Sequence, residues 1–234
     1  MSPFGNTCYA TIDNVSGVGT LGVTLNAHGI ADLAGNTNVA AVVSSTVVVV
    51  GVAVNAGQAN QAQRSLITNV TVTFPSIVTL GANAFSFTGT SPSGGALNLG
   101  PASIAVSTQV VNGMTVATLT FLNDGSNGHN TEGGNGVFSL GDGAWDLHIL
   151  ASQVSGGGFS SNYDSIASGV TINRLYGDVN GIGQVDPSSF NAFSAAYLST
   201  TGAANFVSAF DVFNIGQIDP TTFNRFAQNY GLSV

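Results

Sequence analysis

The chain has no lysine, and its only basic residues are Arg64, Arg174 and Arg225. Against 11 acidic residues this gives a formal net charge of −8. Without a basic cluster nothing can neutralise a run of phosphates, so nucleic acid and anionic membrane surfaces are excluded as partners. The lack of lysine also excludes Schiff-base chemistry and lysine–asparagine crosslinks. The single cysteine, Cys8, excludes an intrachain disulfide and reads as a small packing residue. Charged side chains make up 6% of the 234 residues, against about 25% in an average soluble protein. The polar surface must therefore come from Asn, Ser, Thr, Gln and the 31 glycines. So few charges do little to hold molecules apart, which favours a chain that lives inside an assembly.

Catalytic equipment is equally sparse. Glu132 is the only glutamate, and four of the aspartates belong to a C-terminal repeat. Asp13, Asp32, Asp124, Asp142, Asp146 and Asp164 stand mostly in turn contexts, where Asp bonds its local backbone. His28, His129 and His148 are far apart and adjoin no nucleophile motif, and His148 in "WDLHIL" alternates with apolar neighbours as a strand residue does. An enzyme is not expected. His129 and Glu132 share a Gly/Asn-rich stretch, but two ligands do not make a metal site. A single Trp145 gives little for a carbohydrate-binding face.

No apolar run is long enough to span a membrane. The longest, Val42 to Val54, is interrupted by Ser44, Ser45, Thr46 and Gly51 and falls short of the roughly 20 residues required. The first residues, "MSPFGNTCYA", lack the basic region and apolar core of a secretory signal. A secreted protein would then be represented here by its processed form or by part of a longer precursor.

What is present, up to residue 172, reads as strand, turn, strand. Val, Thr, Ile and Phe are enriched and Gly, Asn, Ser and Asp punctuate them. The expected strands are Cys8–Val15, Thr20–Asn26, Val39–Val54, Ser65–Phe74, Ala84–Thr88, Ser103–Val110, Met114–Leu122 and Ala144–Leu150. "NVTVTF" and "MTVATLTF" alternate as half-buried antiparallel strands do. Asn112–Gly113 between two such runs predicts a tight hairpin, because both residues tolerate positive φ. No stretch shows the 3.6-residue period of an amphipathic helix. The fold class expected is mainly β, an immunoglobulin-like β-sandwich over 41–172.

Residues 1–40 are too few for a second sandwich. "GTLGVTLNAHGIADLAGN" resembles the closing hairpin of a bacterial immunoglobulin-like repeat, with D-x-A-G-N at its turn. This segment either completes the following sandwich, belongs to a preceding domain, or pairs with another subunit. The Val-rich run after it reads as an internal sandwich strand, although a β-branched segment left unpaired invites edge pairing. The stretches 124–136 and 155–168 read as surface connections.

The tail, 173–234, repeats itself with a period of 33 residues. "GDVNGIGQVDPSSFNAFSAAY" aligns with "FDVFNIGQIDPTTFNRFAQNY", matching Asp178 with Asp211, Gly183 with Gly216, Asp186 with Asp219 and Pro187 with Pro220. In each copy Asp opens a loop, Gly permits a sharp turn, and Pro starts a helix. Phe190, Phe193 and Tyr197, and then Phe223, Phe226 and Tyr230, give each helix one aromatic stripe. The stripes are expected to form a core between antiparallel helices. Val185 and Ile218 are expected to pair the two loops.

This loop–helix duplication resembles the paired repeats of type I dockerins, whose loops follow the EF-hand ligand scheme. The resemblance covers about a quarter of the chain. It implies a small α-helical, EF-hand-like module, a secreted or cell-surface location, a cohesin-like docking partner and bound calcium. The ligand positions would be filled by Asp178, Asn180, Ile182, Gln184 (through its carbonyl), Asp186 and Ser189 in the first loop. In the second they would be Asp211, Phe213, Ile215, Gln217 (carbonyl), Asp219 and Thr222. Isoleucine cannot serve at the fifth position, and Ser or Thr replaces a carboxylate at the twelfth. Calcium wants six to eight oxygens, so Ca2+ is a candidate for the first loop and a poor fit for the second. Two functions follow: a structural subunit that binds copies of itself, by strand addition or by its tail packing on a neighbour's sandwich, or an adaptor that docks on a cohesin-like partner.

Overall fold

The computed structural model describes residues 15, 17–32, 34–44, 46–58, 60–125 and 129–234. Cys8, and all of the expected strand Cys8–Val15 except Val15, lie outside them. The protein is mainly β, and among the described residues it has two α-helices, both at the C-terminal end.

The described residues between 19 and 49 form a two-stranded arm. Its strands are β1 (Gly19–Leu21), β2 (Thr24–Leu25), β3 (Val42–Val43) and β4 (Val47–Val49). β1 pairs with β4, β2 with β3, and Ala31 bridges Thr37 near the tip. The tip closes on Asp32, whose carboxylate accepts from the backbone of Ala34 and Asn36 and from the Asn36 amide. These hydrogen bonds, the Asn36 side chain first, hold the Asp32 carboxyl below its ordinary range. The Val42–Val54 run is therefore not one sandwich strand. It divides where the chain leaves the arm at Val50 and Gly51, and a methyl of Val18 lies 2.6 Å from where a Cβ on Gly51 would stand.

Two antiparallel sheets make the body. The first contains β5 (Gly51–Val54), β6 (Asn69–Phe74), β10 (Ile104–Val111), β11 (Met114–Phe121), β12 (Thr131–Gly134) and β13 (Val137–Leu140). β11 lies at its centre, with β6 and then β5 on one side and β10 on the other. The second contains β8 (Phe85–Thr90), β9 (Ala96–Leu99), β14 (Gly143–Ile149), β16 (Tyr163–Asp164) and β17 (Ile172–Arg174). A further short pair, β7 (Thr79–Leu80) with β15 (Val154–Ser155), ties one end.

Alternation decides which side chains face inward. β6 turns Val70, Val72 and Phe74 inside, β11 turns Ala117, Leu119 and Phe121, and β14 turns Trp145, Leu147 and Ile149. Phe87 of β8 meets Phe121 of β11 edge-on at 5.6 Å, joining the two inner faces. Each buried Val, Leu, Ile or Phe among them contributes roughly 1.5–3 kcal/mol. The expected hairpin is present: Asn112 and Gly113 take φ of 51° and 79°, and Val111 pairs with Met114.

A second apolar cluster begins at Leu175 and Tyr176 and includes Val185, Phe193, Phe210, Ile218 and Phe226. It is formed by α1 (Pro187–Ala196) and α2 (Pro220–Asn229), each preceded by its loop. Phe193 stacks on Phe226 at 4.5 Å, while Phe190 meets Tyr230 and Tyr197 meets Phe223. Those contacts set the helices antiparallel. The loops do not pair with each other through Val185 and Ile218. Val185 instead exchanges hydrogen bonds with Gly231 and Leu232, and Ile218 with Leu198 and Ser199. Each loop thus pairs with the segment that follows the other repeat's helix.

Candidate functional site

The residues proposed as calcium ligands are held mainly by the chain itself. Asp178 is fully buried, and its carboxylate accepts from the backbone N–H groups of Ile182 and Gly183 at 3.1 and 2.9 Å. Asp211 does the same for Ile215 and Gly216. Asp186 and Asp219 cap α1 and α2 through the N–H groups of Ser189 and Thr222. Hydrogen bonds from the Ser188 hydroxyl and the Ser189 N–H hold the Asp186 carboxyl below its ordinary range. The Asn180 amide donates to Ser188. Gln184 bridges Ser233 and Gln217 bridges Thr200 through the backbone. Ile182 and Ile215, at the fifth positions, are exposed. The two loops place the opening aspartate, the turn glycine and the capping aspartate alike, and the side-chain oxygens they offer fall short of six.

A different charged cluster lies where the body meets the tail. Arg174 is fully buried on β17 and donates to Glu132 of β12 and to Asp142, both at 2.7 Å. Arg225 of α2 donates to Glu132 at 2.5 Å and also contacts Asp142. Both guanidinium groups lie against the Tyr176 ring, 5.8 and 5.6 Å from its centre. Asn229 donates to Asp142 and to the Tyr176 carbonyl, and the Tyr176 hydroxyl donates to the Phe210 carbonyl. Burial works to raise the Asp142 pKa. The two arginines, the Tyr176 N–H and the Asn229 amide outweigh it and hold that carboxyl below its ordinary range. Burial drives the Tyr176 hydroxyl upward. The group contains as many guanidinium groups as carboxylates, and Glu132, Asp142 and Arg225 also line a cavity shared with His129 and Phe213.

This quartet corrects the reading of 124–136 as a mere surface connection, because Thr131–Gly134 is a strand and Glu132 is buried. Further hydrogen bonds support the junction. The Ser65 hydroxyl donates to Ala209, the Asn60 amide to Val179, and the Asn135 amide to Asn214. The tail is thereby fastened to the body of its own chain.

The outer face of the second sheet holds Asp146, His148 and Asp164, whose ligand atoms lie within 4.8 Å of one another. The carboxylates face opposite ring nitrogens of His148, 3.8 Å from Nε2 and 3.5 Å from Nδ1. Nε2 is also 2.7 Å from Thr88, and one Asp146 oxygen accepts from Ser165 and Ile166. The backbone N–H of Ala167 leads in holding the Asp164 carboxyl below its ordinary range. His148 bridges two aspartates across the strands β14 and β16, and the spacing of the three groups is one that could hold a metal ion. His148 is a strand residue, as its alternation predicts.

Among the described residues, the arm and the tail each expose apolar side chains. Val23, Ile30, Val39, Val42, Val43 and Val47 are exposed along the arm. On the tail, Phe193 and Phe226 form the expected core, but Phe190, Tyr197, Phe223 and Tyr230 remain 36–48% exposed. No helix among the described residues is long and apolar enough to cross a membrane. No family model, curated protein or solved structure matches the chain.

Proposed function

We propose that the chain is a structural subunit of an extracellular or cell-surface assembly, a fibre, filament or surface layer built from copies of itself. The body is read as an immunoglobulin-like sandwich and the tail as a dockerin-like module with EF-hand-shaped loops. The observation that carries the reading is the arm. A two-stranded ribbon is marginal in water by itself, and this one exposes β-branched side chains on Val39, Val42, Val43 and Val47. Packing against another subunit gives those side chains cover. Light scattering and electron microscopy of the purified chain over a concentration series test the reading. Growth into polymers supports it, and a monodisperse monomer at high concentration removes it.

The four half-exposed aromatics on the tail favour a second reading. In that reading the tail is a dockerin-type adaptor that offers this face to a cohesin-like sandwich, with calcium, if bound, in the first loop. Calorimetric titration with cohesin-like domains, with and without calcium, separates the two. An adaptor binds them and stays monomeric alone.

A further inference from the structure

The edge of β10 is built to accept a strand. Its eight residues, Ile104–Val111, pair with β11 without interruption from Ile104–Phe121 to Val111–Met114, so no bulge turns the edge away. Among the described residues nothing pairs with its other edge. Natural edges are protected by lysine, proline, an inward charge or a covering element, and "IAVSTQVV" contains none of these residues.

The face that β10 turns towards the core is also open. Cross-strand partners share a face, so Val106, Thr108 and Val110 lie on the same side as Leu119, Ala117 and Thr115. Those three β11 residues are buried, and so is Ile104 at the start of β10. Val106 and Val110 are nevertheless 41% and 58% exposed. A strand added to this edge would extend the sheet, and its partner atoms would cover that apolar stripe.

Resting on the self-assembly reading, we propose that the acceptor is this β10 edge and the donor is the 19–49 arm of a second copy. The sheet order supplies the polarity. Each arm leaves its sandwich from β5, on the far edge of the same sheet, with β6 and β11 between it and β10. The legs of the arm, 19–25 and 42–49, span seven and eight residues, close to the eight of β10. They carry no carboxylate or guanidinium; Asp32 is used within the tip. Arm and edge are thus two neutral, apolar surfaces at opposite ends of one sheet. A two-fold pairing of β10 with β10 would cover the edges and leave both arms bare. Arm on edge covers both, and because donor and acceptor are different surfaces the contact propagates head to tail.

The test uses two variants of the full chain. Val106→Lys with Val110→Lys blocks the acceptor, and Val43→Lys with Val47→Lys blocks the donor. All four positions are exposed, so circular dichroism and melting temperature should match the parent. Each variant alone is expected to be monomeric by light scattering. Mixed in equal amounts they should form one-to-one heterodimers and stop, since the mixture retains one good arm and one good edge per pair. A mixture that stays monomeric, or either variant polymerising like the parent, overturns the arm-on-edge contact. A parent that forms only a discrete dimer sensitive to the acceptor substitutions alone also overturns it, in favour of β10 pairing with β10. A monomeric parent sinks the self-assembly reading itself.

Discussion

Arg174→Met is the sharpest perturbation of the junction. The parent quartet balances Arg174 and Arg225 against Glu132 and Asp142, with Arg174 fully buried and the Glu132 side chain 8% exposed. The substitution leaves two carboxylates sharing Arg225, whose side chain is 18% exposed. Breaking a buried ion pair by removing one partner costs about 3–5 kcal/mol, because the remaining charge is desolvated and uncompensated. The variant also loses the guanidinium hydrogen bond to the Ser65 carbonyl. For a chain of this size about 1 kcal/mol corresponds to roughly 2–4 °C, so the melting midpoint should fall by about 6–20 °C. Differential scanning calorimetry measures the fall. Hydrogen exchange in α2 should rise with it, since Arg225 and Asn229 anchor that helix to the body. Adding Glu132→Gln to Arg174→Met restores one-to-one pairing and should recover part of the loss. A single variant that melts within about 1 °C of the parent, with unchanged exchange in α2, would refute the view that the quartet holds the two cores together.

The same junction should respond to acid. Asp142 is held below its ordinary pKa of 3.8, so its stabilisation is complete above about pH 4 and is lost as pH falls through the depressed folded value. Melts from pH 6 to pH 2 should show this slope, and Asp142→Asn should remove its share of it. Asp178→Ala, which removes a buried carboxylate that accepts from the Ile182 and Gly183 N–H groups, should cost about 1.5–3 kcal/mol in urea unfolding. Calcium or a chelator should leave the parent's midpoint unmoved, and a large calcium-dependent rise would refute the loop description. Gly181→Ala should destabilise by more than about 1 kcal/mol, because its φ is +69° and its Cβ would stand 1.9 Å from the Ala62 carbonyl oxygen. Limited proteolysis between body and tail reads that change directly.

Strands with strict alternation were legible in the sequence. The expected Ala84–Thr88, Ser103–Val110, Met114–Leu122 and Ala144–Leu150 fall within two residues of β8, β10, β11 and β14. The 33-residue repeat likewise marked both helices, through Pro at the start and the aromatic spacing behind it. Ser65–Phe74 was drawn too long because Ser65 serves the junction, bonding Ala209 and Gly177. β12 was missed for a physical reason. In "TEGG" the glycines read as loop punctuation, yet a Cβ on Gly133 would stand 2.2 Å from Val137 and one on Gly134 2.6 Å from Phe213. There glycine is demanded by close packing. The quartet left one signal unread: in a chain with three basic residues and one glutamate, each charge needs a reason. Side chains distant in sequence gave no local pattern by which to pair them.

The ionic joint between the two cores also governs stiffness. Glu132, Asp142, Arg174 and Arg225 lock body and tail at several points in three dimensions, so the pair should tumble as one rigid block. The arm is a thin ribbon whose strands, among the described residues, pair only with each other. A filament made from these subunits would bend at its ribbons and stay straight across each block, and its flexibility would be set by how much ribbon the neighbour covers.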